Sequence, residues 1–149
     1  MSVKAHPFEN RRRARRRVLQ ALYQWQITGY PAKTIIAQFI EEQDWTSADQ
    51  DYFKQLLTEV IDNTEQFDDS LQAFLDRPLE QVDLTELAIL RLAAAELIMH
   101  PEIPYRVVLD EAVDLAKRFG AEQGHGFVNG VLDPATRKWR ASEVESTVG

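Results

Sequence analysis

A chain of 149 residues, 44% hydrophobic and 28% charged, can close a core without disulfides or metals, and no apolar run in it approaches the roughly 18 to 20 residues that cross a bilayer. With no cysteine, disulfide and thiolate chemistry are excluded, and a soluble cytoplasmic protein is expected. The net charge of −7 hides an asymmetry: residues 1–17 carry Lys4 and six arginines against Glu9, a balance of +6, whereas the remainder carries 10 basic and 23 acidic residues, a balance of −13. A basic head on an acidic body is the footprint of a polyanion-binding patch.

Helical periodicity runs through the chain and no alternating strand pattern interrupts it, so the class is all-α, with about seven helices. Residues 1–10 read as a flexible arm. In RRRARRRVLQALYQWQ, from Arg11 to Gln26, the residues Ala14, Val18, Ala21, Leu22 and Trp25 form one apolar stripe that ends at Gly29 and Pro31. Glutamines 20, 24 and 26 interrupt it, which argues against a secretory leader. A second helix, about 32–43, buries Ile35, Ile36, Phe39 and Ile40. Ser47 with Gln50 is a capping-box pattern ahead of Phe53, Leu56, Leu57, Val60 and Ile61. Phe67, Leu71, Phe74 and Leu75 keep the spacing, so that helix bends or restarts near Asn63.

Arg77-Pro78 breaks the pattern and marks a boundary between lobes of about 11–77 and 78–137. Asp83 with Glu86 offers another cap, opening a helix whose stretch from Leu87 to Met99 is apolar almost all round and therefore central. Tyr105 to Phe119 is amphipathic, with Gly120 at its end. The turn AEQGHG leads into FVNGVLD, where Gly130 suggests close packing. From 138 to 149 the chain is polar and reads as a disordered tail.

Catalytic chemistry finds no support. His6, His100 and His125 form no ligand-spaced pair, and neither a phosphate-cradling GxxxxGK[ST] loop nor a GxSxG elbow is present. His125, between two glycines, lacks the partner that a general base needs. No catalytic residue, metal site or cofactor is expected.

The arginine run is a different matter. At 100° per residue Arg12, Arg13, Arg16 and Arg17 point away from the apolar stripe, and Arg11 and Arg15 fall at its edge. Cations at a helix N-terminus oppose the macrodipole, and the i,i+4 pairs Arg11/Arg15, Arg12/Arg16 and Arg13/Arg17 repel by roughly 0.2–0.5 kcal/mol each. A local penalty of this kind is expected where function selects the residue. The preference for arginine over lysine favours phosphates or stacked bases, and irregular or single-stranded RNA over duplex DNA. A solvated basic arm, an anionic-lipid contact and an intramolecular clamp onto the acidic body stand as alternatives. Tyr23, near Arg16, adds a stacking or partner surface, or is a half-buried aromatic at the margin of the stripe.

Three stretches, RRRARRRVLQALYQWQ, EQVDLTELAILRLAAAEL and PYRVVLDEAVDLAKRFGAEQGHGFVNGVLD, resemble the NusB family of bacterial transcription antitermination factors. The likeness extends from about Arg11 to Asp133, and the FVNGVLD block is its most specific part. It implies two small helical bundles and a non-enzymatic function: binding the boxA element of ribosomal-operon RNA with the small-subunit ribosomal protein NusE, alongside other Nus factors and RNA polymerase. It also implies an RNA surface of Arg11, Arg12, Arg13 and Arg15 with His125, Phe127 and Asn129 in the turn before the final helix, and a NusE surface of Tyr23, Glu80 and Glu86. Core packing competes for Phe127, and capping for Asn129 and the two acids. Gly126 stands where the family often has lysine, and Gln123 where it often has an acid; Arg16 and Arg17 extend the run and compensate in charge. Two other readings are the RNA-recognition domain of a ribosomal RNA cytosine methyltransferase, which the end of the chain soon after FVNGVLD and the lack of cysteine disfavour, and a structural homodimer.

Overall fold

A computed structural model describes residues 6–148. Among these residues there is no strand, and eight α-helices follow in order: α1 (Pro7–Thr28), α2 (Ala32–Glu42), α3 (Gln50–Asp62), α4 (Thr64–Gln72), α5 (Leu84–Met99), α6 (Tyr105–Phe119), α7 (Gly124–Trp139) and α8 (Ala141–Val148), with a 3₁₀ turn at Leu79–Gln81. They make two compact units that divide between Asp62 and Asn63.

In the first unit α1 packs on α2 and α3. Ala14, Val18, Ala21 and Leu22 are fully buried, as their spacing predicts, against Ile35, Phe39, Phe53, Leu56 and Leu57. The Phe53 ring is the hub, 5.6 Å from Phe39 and 4.9 Å from Trp45. Gly29 ends α1 at φ 69°, a left-handed conformation that a side chain would strain. The α3 cap is Asp49, whose carboxylate accepts from the Tyr52 N–H at 3.0 Å, and not Ser47.

The second unit is built around α5. Every residue from Glu86 to Leu97 except Arg91 is buried, and the helix is flanked by α4, α6 and α7. Asp83 caps it as expected, accepting from the Thr85 and Glu86 N–H groups.

Four further expectations need correction. The flexible arm does not extend to residue 10: α1 begins at Pro7, and the carbonyl of buried Asn10 accepts the Asp49 N–H at 3.0 Å. Proline suits the first helical position because the N–H it lacks has no partner there. Residues 1–5 lie outside the described residues.

The division falls at 62/63 and not at 77/78, because α4 belongs with α5 through buried Phe67 and Leu71 and a two-pronged Asp68–Arg91 bridge at 2.9 and 2.8 Å. The tail from 138 is not disordered over the described residues. There α7 continues to Trp139, whose ring meets Phe74 edge-on, and α8 follows. Between them, buried Arg140 donates to the carbonyls of Glu96, Leu97, His100 and Ile103 and to the Glu143 carboxylate. The Glu96 and His100 carbonyls also accept backbone N–H groups, from His100 and Ile103, so the guanidinium reinforces the end of α5 and the turn after it, where a cation also complements the helix dipole. Finally, the close approach is at Gly124 and not Gly130: a Cβ on Gly124 would collide with the Glu86 carboxylate, whereas Gly130 is exposed with open space around it.

Candidate nucleic-acid interface

The six arginines of α1 are not equivalent. Arg11 lies over the Tyr52 ring at 4.1 Å, and Arg15 over the same ring at 5.7 Å. Arg15 is only 2% exposed, so its side chain is part of the fold and not of the accessible basic face that had been expected to include it. Arg17 sits over Trp45 at 4.6 Å, its Nη1 buried with no hydrogen-bond partner among the described residues. Burial pulls the Arg17 pKa below its ordinary value, with Asp44 opposing and Arg13 reinforcing. Arg13 donates to the Ser47 carbonyl at 3.2 Å, and Arg12 pairs with Glu9 at 3.3 Å. Arg16 is half-buried and has no hydrogen bond, ion pair or ring contact with the described residues.

This arrangement explains how the chain tolerates clustered charge at a helix N-terminus. Cation–π contacts are worth about 0.5–1 kcal/mol when exposed and about 2 when desolvated, enough to offset the i,i+4 repulsions of roughly 0.2–0.5. The arginines are held by aromatic faces and one carbonyl and, for Arg12, by Glu9 of the basic head itself, which is not the clamp onto the acidic body considered above. Arg11, Arg12 and Arg13 remain half-buried, and with Arg16 they make a basic ridge along α1.

Further along α1, Tyr23 is 41% exposed, with Ile27 one turn on and also exposed, giving an apolar strip on an otherwise polar surface.

In the second unit the turn expected before the final helix is itself helical. α7 starts at Gly124, so His125, Phe127 and Asn129 occupy its first turns, and α8 is the last helix. His125 and Asn129, four residues apart, share one face and line an open groove of about 530 Å³ with Leu109, Val113, Asp114 and Lys117 of α6. Phe127 points to the other side, where the Arg77 guanidinium lies over its ring at 4.8 Å. Two of the three residues are therefore brought together and the third is not. Sequence reasoning missed Arg77, whose only signal there was a helix break.

Glu80 is exposed on the 3₁₀ turn, as a partner-binding residue would be. Glu86 is not: only 8% of it is exposed, and its carboxylate lies against Gly124. Burial pushes its pKa up, with nearby Asp83 adding to the rise and the Ala121 N–H and Arg77 opposing it. The Asp83 cap and the opening of α7 enclose Glu86, so it packs α5 on α7.

The model of the NusB family matches residues 12–137. The Transcription antitermination protein NusB of Xanthomonas campestris pv. campestris (strain B100) is 53% identical over 133 residues, covering 89% of this chain and 84% of that protein. Among solved structures, NusB of T. maritima is similar with a TM-score of 0.76 at 30% identity, over 85% of this chain and 89% of that one. NusB in a complex of the antitermination factors NusB and NusE with double-stranded RNA is similar with a TM-score of 0.78 at 26% identity, over 88% of this chain and 98% of that one.

Proposed function

The chain belongs to the NusB family of transcription antitermination factors, which are not enzymes, and from that premise we propose that it binds boxA RNA of ribosomal RNA operons together with NusE. The observation that carries this reading is the basic ridge of α1. Arg11, Arg12, Arg13 and Arg16 project from one helix, and three of the guanidinium groups are already held, Arg11 on the Tyr52 ring, Arg12 by Glu9 and Arg13 by the Ser47 carbonyl. Arginines fixed in this way lose little freedom when a phosphate arrives, and their planar forks suit phosphate oxygens and unstacked bases alike. The similar complex of NusB, NusE and double-stranded RNA supports both partners.

The division of labour follows from chemistry. The ridge supplies sequence-tolerant attraction to the RNA backbone, while His125 and Asn129, beside the α6–α7 groove, offer ring and amide groups for base edges. Tyr23 and Ile27 of the first unit offer NusE an apolar strip, and the second unit offers it the exposed Glu80 carboxylate. In the assembled state the chain joins RNA polymerase and other Nus factors and suppresses termination; its work is differential binding and not bond chemistry. A free homodimer would use the same Tyr23 strip, and sedimentation of the isolated chain with and without NusE distinguishes the two uses.

The test is a titration of labelled boxA RNA, a scrambled control and a duplex, each with and without NusE. The reading requires preference for boxA that grows when NusE is present. Equal affinity for all RNAs in both conditions would reduce the ridge to a generic basic patch.

A further inference from the structure

Arg77 stands apart from the basic ridge and carries none of the roles assigned above. It is exposed, at the end of the connection from α4, and its turn is clamped by one side chain: the Gln72 amide donates to the Arg77 carbonyl at 3.0 Å and accepts the Leu79 N–H at 3.3 Å. Asp76 takes the Nε and Nη2 edge of the guanidinium at 2.8 and 3.4 Å. The group lies 4.8 Å from the Phe127 centroid, over the ring. Turn, edge and inner face are therefore all fixed, and the outer face of the guanidinium is left towards solvent.

We propose that Arg77 is an RNA-contacting residue that stacks on an unpaired base, with Phe127 as the platform beneath it and not itself the stacking surface; this rests on the RNA-binding reading above. A base is favoured over a phosphate by charge. Asp76 neutralises Arg77 and is itself 73% exposed, so an approaching phosphate would meet a carboxylate beside the cation, whereas the π-face of a base meets a polarised plane. Arginine planes and aromatic rings are the groups on which unstacked RNA bases lie. An arginine already seated on a ring pays little of its rotamer entropy when the base arrives.

The proposal separates from a phosphate contact by salt dependence. Loss of a stacking partner weakens binding by about fivefold at the low end of the usual range and leaves the salt slope alone, whereas loss of a phosphate contact lowers the slope by about 0.7 on single strands. The experiment titrates labelled boxA RNA with the full chain and with Arg77→Ala, Arg77→Lys and Asp76→Ala across a salt series, with melting midpoints recorded alongside. Arg77→Ala and Arg77→Lys are each expected to bind about fivefold more weakly at an unchanged slope, with the midpoint lowered by no more than about 4 °C from the lost contact with Phe127, because lysine keeps the charge but not the plane. Asp76→Ala is expected to bind at least as tightly as the parent.

Parent-like binding by Arg77→Ala overturns the proposal, as does restoration of affinity by lysine with a lower slope in the alanine variant. Equal weakening by Arg77→Ala and Asp76→Ala with a fall in both midpoints overturns it in favour of a purely structural turn. Each of these outcomes leaves the RNA-binding reading intact. Failure of the parent chain to bind any of the RNAs would end that reading, and this proposal with it.

Discussion

Arg15 and Arg16 are neighbours in sequence and are expected to fail in opposite ways when replaced by alanine. Arg15 is buried over Tyr52. Its truncation removes a desolvated cation–π contact worth about 2 kcal/mol and two buried methylenes at about 0.8 kcal/mol each, offset by relief of charge burial and of roughly 0.2–0.5 kcal/mol of repulsion from Arg11. A net loss of about 2–3 kcal/mol lowers the melting midpoint by about 5–10 °C in a chain of this size. Arg16 makes no hydrogen bond, ion pair or ring contact with the described residues, so Arg16→Ala leaves the midpoint within about 1 °C, while the slope of log affinity against log salt for single-stranded RNA falls by about 0.7. Circular dichroism melting and RNA titrations between low and moderate salt measure both quantities on the same samples. An Arg15→Ala variant that melts like the parent but binds with a reduced slope would refute the division of the arginines into structural and accessible sets. An unchanged slope in Arg16→Ala would refute its place on the ridge.

Three further outcomes follow from the remaining contacts. Arg140→Ala removes a donor from four backbone carbonyls, two of which keep a backbone N–H, and from the partly exposed Glu143 carboxylate, and is expected to cost about 3 kcal/mol, the low end of the range for breaking a buried ion pair; chemical denaturation of parent and variant measures it. Glu86→Gln is expected to stabilise the fold at neutral pH. The folded pKa of Glu86 is raised, so the stability it contributes is full below the unfolded carboxylate value and is lost as pH rises through the folded value. The advantage of glutamine should therefore be present above that window and vanish below it, and stability measured against pH would show a constant difference if the reasoning were wrong. Tyr23→Ala, which removes an exposed ring, is expected to weaken NusE binding tenfold or more if that ring is a central anchor, at about 1.4 kcal/mol per decade, with RNA binding by the isolated chain unchanged; calorimetry with each partner separates the two.

How far the fold could be read from the sequence depended on where each signal lay. The stripe on α1 from Ala14 to Leu22, the Asp83 cap and the apolar circumference of α5 are local patterns that appear where periodicity places them, whereas Trp25 at the end of the stripe is only half-buried. Arg140 left no such trace. Its partners are backbone carbonyls at the end of α5 and in the turn beyond, which no side-chain pattern announces, so despite Trp139 the segment from 138 read as tail. Arg15 and Arg16 likewise look alike in a run of arginines, because what separates them is a ring on α3. Pro7 was a legible signal for the start of α1 that the arginine run overshadowed. Gly124 and Gly130 are equivalent in sequence too, and only the buried Glu86 carboxylate shows at which of them a side chain would have to displace a neighbour. At the candidate interface the residue types were legible, whereas the pairing of Phe127 with Arg77, and the shared face of His125 and Asn129, needed the helical start of α7.

The central claim is that RNA and NusE bind this chain cooperatively. The most direct measurement is a closed thermodynamic cycle: the affinity of the chain for boxA RNA with and without saturating NusE, and its affinity for NusE with and without saturating boxA RNA. Linkage requires the two ratios to be equal, and coupling of typical size makes each about 5- to 150-fold. Equal ratios well above one for boxA, collapsing to one for the scrambled RNA, are the predicted result. A cycle with both ratios at one for boxA would contradict the account.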